Sequence, residues 1–125
     1  MKKTLRFEIV TGIQGGYKKL NNTLANHEKI VSCLWQDNAE TLYKKNNIYI
    51  SAVIKCSYTV YNQEWGCPRG GERTVVITGV ANKEFVNNLE AWKEAVLVLA
   101  KKLKEQLNQR TMTCEFMETE LHYLK

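Results

Sequence analysis

The chain has 125 residues, 18 Lys plus Arg against 13 Asp plus Glu, and a single proline. That length suits one domain spanning residues 1–125, and 44% hydrophobic with 25% charged residues is the mix of a packed chain, not a disordered one. The longest apolar run, Ala95–Ala100, is far too short to span a bilayer, and Arg6 and Glu8 interrupt any leader that Met1 would open, so a cytoplasmic protein with no membrane partner is expected.

Thr4–Ile13 alternates Leu5, Phe7 and Ile9 with Arg6 and Glu8, which predicts a half-buried strand. Gly12, Gly15 and Gly16 break it, and a polar loop through Lys18 and Lys19 leads to Asn26, a suitable helix cap. From His27 to Lys45, Val31, Leu34, Trp35, Ala39, Leu42 and Tyr43 recur at spacings of three and four and predict a helix, stopped by Asn46-Asn47. Ile48–Tyr61 alternates throughout and predicts a long strand. Asn62–Gly71, NQEWGCPRGG, is a hairpin loop, and Glu72–Val80 is a β-branched strand.

Asn82 is placed to cap a helix from Glu84 to Asn108, striped by Phe85, Leu89, Trp92, Val96, Leu99, Leu103 and Leu107. Arg110–Leu124 closes the chain as a strand with Met112, Cys114 and Phe116 on one face. Its alternation slips at Met117-Glu118, which predicts a bulge. The order β-α-β-β-α-β predicts an α+β, ferredoxin-like fold: one antiparallel sheet with two helices on one face. The other face would carry Val10, Tyr49, Val53 and Met117 among Ser51, Lys55 and Glu115, a mixture that invites pairing into a homo-oligomer.

In that topology three loops emerge at one edge of the sheet. They bring Gly15, Gly16, Tyr17, Lys18 and Lys19 together with Trp65, Arg69, Gly70, Gly71, Arg73 and Arg110. Three of the four arginines would gather beside a Trp and a Tyr. Glycine backbone can approach a phosphate, arginine forks match its oxygens, and an aromatic face stacks a base. With a net charge of +5, this set predicts a small anionic nucleotide as ligand. Neither G-x-x-x-x-G-K-[ST] nor G-x-G-x-x-G occurs.

Signs of catalysis are sparse. Cys33, Cys56, Cys67 and Cys114 lack metal-site spacing and read as packed thiols of a reducing compartment. His27 and His122 stand at element ends, where side chains are commonly exposed. Cys67 beside Arg69 has no histidine near it in sequence. Glu115, Glu118 and Glu120 offer the one alternative, a Mg²⁺-dependent phosphodiesterase or nuclease. ERTVVITGV carries no aromatic, which argues against an RNA-reading sheet and leaves a nucleic-acid or protein adaptor as a less favoured alternative. No catalytic residue, metal or cofactor is expected.

The loop WGCPRGGER, together with a second helix opening NKEF and the β-α-β-β-α-β layout, resembles the phage anti-Thoeris sponge proteins. The resemblance implies a homo-oligomer in the host cytoplasm that sequesters a cyclic-ADP-ribose-type immune signal without cleaving it. It carries over no binding residues.

Overall fold

In the computed structural model, which describes residues 3–13 and 24–125, the chain forms β1 (Lys3–Gly12), α1 (Leu24–Asn46), β2 (Val53–Thr59), a 3-10 turn (Gln63–Trp65), β3 (Glu72–Val80), α2 (Leu89–Gln106) and β4 (Met112–Glu120). The four strands make one antiparallel sheet in the order β2-β3-β1-β4, the ferredoxin-like arrangement that the alternation predicted. None of the described helices is long and apolar enough to cross a membrane.

The period-two rule decides the core. Phe7, Ile9 and Thr11 of β1 share one face with Val75 and Ile77 of β3, and all five are buried. Both helices cover that face. Phe7 stacks on Trp35 of α1 with ring centres 5.6 Å apart and meets Trp92 of α2 at 5.7 Å. Three fully or nearly fully buried rings thus tie sheet and helices together. Opposite Phe7 in the register stands Gly79. A Cβ there would come within 2.5 Å of the Phe7 ring and 2.4 Å of the Ser51 carbonyl oxygen, so only glycine lets both lie so close.

Several boundaries move from the sequence reading. β2 starts at Val53, not Ile48, because the run from Ile48 to Ala52 lies outside the ladder with β3. Tyr49 consequently leaves the open sheet face and meets Phe85 edge-on at 5.7 Å. α1 begins at Leu24, ahead of the predicted cap Asn26. α2 begins only at Leu89, capped by Asn88, whose side-chain oxygen accepts the Ala91 N–H at 3.0 Å. Asn82 instead accepts the Glu84 N–H and closes a turn, so Phe85 falls outside the helical stripe and is exposed. β4 has no bulge: its register with β1 runs unbroken from Lys3↔Glu120 to Thr11↔Met112. The slip marks where the core ends, with Glu118 opposite Leu5. Cys33 is exposed, unlike the packed thiol expected, and His27 is buried, unlike the exposed side chain expected.

Candidate functional site

β1 and β2 end, and β3 and β4 begin, at the same end of the sheet. The hairpin loop 60–71 and the connection 107–111 therefore meet there. Gly15, Gly16, Tyr17, Lys18 and Lys19 lie outside the described residues.

The hairpin is held by local geometry. Trp65 and Gly66 donate backbone N–H groups to the carbonyls of Asn62 and Gln63, both at 3.0 Å. The chain then turns through Gly70 (φ 87°) and Gly71 (φ 102°), left-handed conformations that favour glycine. The Cys67 thiol is buried beneath. It accepts the Tyr61 N–H at 3.4 Å and donates to the Pro68 carbonyl at 3.3 Å. That makes it a fastener of the loop, not a reactive group. Above it Trp65 stands 78% exposed, an unusual position for so large an apolar ring.

Beside this loop sits a pair that the sequence reading missed. The Tyr61 hydroxyl donates to Glu72 Oε1 at 2.7 Å. That bond, with a smaller contribution from burial, holds the Tyr61 phenol above its ordinary pKa. The second oxygen of Glu72 lies 3.4 Å from where a Cβ on Gly12 would be, and the Gln109 side-chain oxygen lies 2.7 Å from that same point. The bare strand end at Gly12 thus leaves room for a carboxylate and an amide. Tyr61 and Glu72 bracket the hairpin in sequence, which was the available signal. Glu72 was hidden as the first residue of a strand.

The three arginines differ in how they are placed. Arg69 and Arg110 are exposed on the loops. Arg73 pairs with Tyr58 in the register, so the pleat puts it on the same face as Cys56, opposite Glu72. There the Glu28 carboxylate accepts the Cys56 N–H at 2.9 Å. Burial first, then the charge of Glu28, pushes the Cys56 thiol up, with Arg73 opposing.

The phosphodiesterase alternative fails on the same alternation. Glu115 points to one face of β4 and Glu118 and Glu120 to the other, so the three cannot share an ion. Glu120 pairs with His122 instead. Among the described residues no cluster of metal-ligating side chains occurs.

The end of the ferredoxin-like sheet thus carries a carboxylate–phenol pair, an exposed indole and two exposed loop arginines. The SAM lyase family model matches residues 2–125, and the chain belongs to that family. The fold is shared with a phage SAM lyase in complex with S-methyl-5′-thioadenosine (TM-score 0.59, 19% identity, 98% of this chain and 93% of that one). A phage SAM lyase in the apo state aligns with TM-score 0.55 at 14% identity, over 100% of this chain and 95% of that one. No curated protein matches the chain.

The family is one of enzymes that degrade S-adenosylmethionine, which overturns the expectation of a non-catalytic binder. Metal triads and activated nucleophiles are poor signals for such an enzyme for a physical reason. A sulfonium substrate carries its own leaving group, a sulfur that departs as a neutral thioether, so neither device is required.

Proposed function

We propose that the protein cleaves S-adenosylmethionine at its sulfonium centre without water and releases S-methyl-5′-thioadenosine. The family match over nearly the whole chain supports this reading, as does the thioadenosine held by a phage SAM lyase of the same fold. The observation that carries it to particular residues is the Tyr61–Glu72 pair at the sheet end.

The chemistry limits what that pair can do. The bond between sulfur and the γ-carbon of the four-carbon amino-acid chain breaks, and its electron pair goes to sulfur. The γ-carbon receives either the substrate's own carboxylate, closing a five-membered ring, or the electron pair of a β C–H bond whose proton leaves to a base. Sulfur loses its positive charge along the way, so a carboxylate against it would favour the ground state over the transition state. Glu72 serves better against the α-ammonium group, whose charge persists, and there it fixes the fold of the reacting chain. Tyr61 holds the carboxylate in place. Trp65 offers a flat face to adenine. Arg69 or Arg110 meets the substrate carboxylate, and Gly70 and Gly71 let the backbone approach.

Mass spectrometry of S-adenosylmethionine incubated with the protein in heavy-oxygen water tests the reading. The expected products are S-methyl-5′-thioadenosine and a four-carbon fragment without solvent oxygen. Recovery of unchanged substrate, or solvent oxygen incorporated during cleavage, overturns it.

The finer expectation of a cyclic-ADP-ribose-type ligand comes from the resemblance carried by the WGCPRGGER loop and the fold layout, and the two exposed loop arginines, which suit phosphate, support it. It would be a second ligand class for the same sheet end, beside the lyase reaction. Competition between cyclic ADP-ribose and S-adenosylmethionine tests it. The open sheet face, where Val10, Val53, Val76 and Met117 lie among Arg6, Glu8, Lys55 and Glu115, supports assembly with further copies, checked by light scattering. Cytoplasmic placement belongs to the same proposal, and four free cysteines support it.

A further inference from the structure

The open face of the sheet carries a row of hydroxyl groups at the end that holds Glu72. The register sets Ser57 opposite Thr74 and Thr59 opposite Glu72, and the pleat turns all four toward that face, away from Val75 and Ile77. Directly opposed residues hold their Cβ atoms about 5 Å apart, so the Thr59 side chain starts beside that of Glu72. On the other flank of Thr74 stands Gly12, which adds no side chain to cover the row.

Thr74 is the hub. Its hydroxyl lies 2.8 Å from that of Ser57 and 3.1 Å from that of Thr59, and the residue is 4% exposed. Two hydrogen bonds among three hydroxyls use two protons, so the third proton is directed outside the row. Ser57 is half-buried and Thr59 exposed, which leaves both ends of the row within reach of a ligand. A carboxylate and a set of held hydroxyl donors make opposite demands side by side. Glu72 asks for a cation, and the row suits an anion without bringing a full charge of its own. A ligand that meets both at once bears an ammonium and a carboxylate on one carbon.

We infer that Ser57 and Thr59 form the carboxylate half of an α-amino-acid subsite, with Glu72 as its ammonium half and Thr74 as a positioning residue for both hydroxyls. The inference rests on the assignment of S-adenosylmethionine to this sheet end. One oxygen of the substrate carboxylate accepts from the row, and the other is left to the loop arginine. The row therefore selects ligands that keep the carboxylate over those that have lost it.

Calorimetric titration with S-adenosylhomocysteine and with its decarboxylated analogue tests this. The two differ only in the carboxylate, and neither carries a sulfonium to cleave. Ser57→Ala combined with Thr59→Val removes both hydroxyls and keeps the β-branch at 59. It should weaken S-adenosylhomocysteine about tenfold, the order of a hydrogen bond to a charged group, and leave the decarboxylated analogue unchanged. Thr59→Ser, which keeps the hydroxyl, should retain the wild-type preference. Thr74→Val should narrow that preference, a readout that a merely structural role would not move, and Glu72→Gln should weaken both analogues, since both keep the ammonium. Equal losses for the two analogues in the double variant overturn the proposal. So does a wild type that binds the two alike, or that binds no S-adenosylhomocysteine. S-adenosylmethionine left uncleaved, with the double variant still losing the carboxylate preference, would sink the lyase reading and leave this subsite standing. Intact cleavage with no preference between the analogues would do the reverse.

Discussion

The centre of the sheet and its loop-bearing end are held by different forces. At the centre, Phe7, Trp35 and Trp92 are fixed by burial and ring packing, with Gly79 making room. At the end, Glu72 is fixed by a phenol and the hairpin by a thiol and two left-handed glycines. The contrast teaches that this fold separates the residues that keep it folded from those proposed to meet the substrate. Substitutions in one region should change stability and in the other activity, with little crossing over.

That separation breaks most visibly at Phe7. Phe7→Ala should cost about 3–5 kcal/mol of stability, read from the denaturant midpoint. A smaller loss would mean that the rings repack. Glu72→Gln should reduce S-adenosylmethionine cleavage by about 10- to 100-fold, the scale of a charged hydrogen bond, with an unchanged midpoint. A matching fall in stability would erase the distinction between the regions. Gly79→Ala brings a Cβ against the Ser51 carbonyl and the Phe7 ring, and should cost about 1–3 kcal/mol with cleavage retained in whatever remains folded. Asn88→Ala removes the α2 cap and should cost about 1 kcal/mol, again without touching activity.

The smallest effect is a titration. Hydrogen bonding to Glu72 first, and burial second, raise the Tyr61 phenol above its ordinary value of 10.0. A raised folded pKa means that its contribution is complete below that value and is lost as pH climbs through the folded one. In an ultraviolet absorbance titration Tyr61 should ionise later than an unpaired tyrosine, and Glu72→Gln should remove the delay.

What the sequence made legible follows the same division. β3 was bounded as found, and the stripe Trp92, Val96, Leu99 and Leu103 lies buried on α2 as its spacing required. Those positions announce themselves because burial imposes a period. Asn82 and Asn88 are equally good caps on paper, and only the turn through Phe85 decides between them. The late start of the β2 ladder goes with Ser51 passing over Gly79, a contact between segments far apart in sequence. Of the proposed site half was legible: topology placed the loops together, but reading for phosphate gave weight to arginines and none to Glu72. The proposed substrate, cationic and without phosphate, reverses that logic. The pleat then separates Arg73 from Glu72, which adjacency in sequence conceals.

Gly12 offers a way to uncouple architecture from chemistry at a single atom. The groups crowding its empty side are the tips of two side chains, Gln109 and Glu72, rather than backbone. A methyl group there would push those tips aside while the ladder on both flanks stayed paired. On the proposed function, Gly12→Ala is accordingly a design for a folded but silent form of the protein, a decoy that keeps every surface except the one assigned to cleavage.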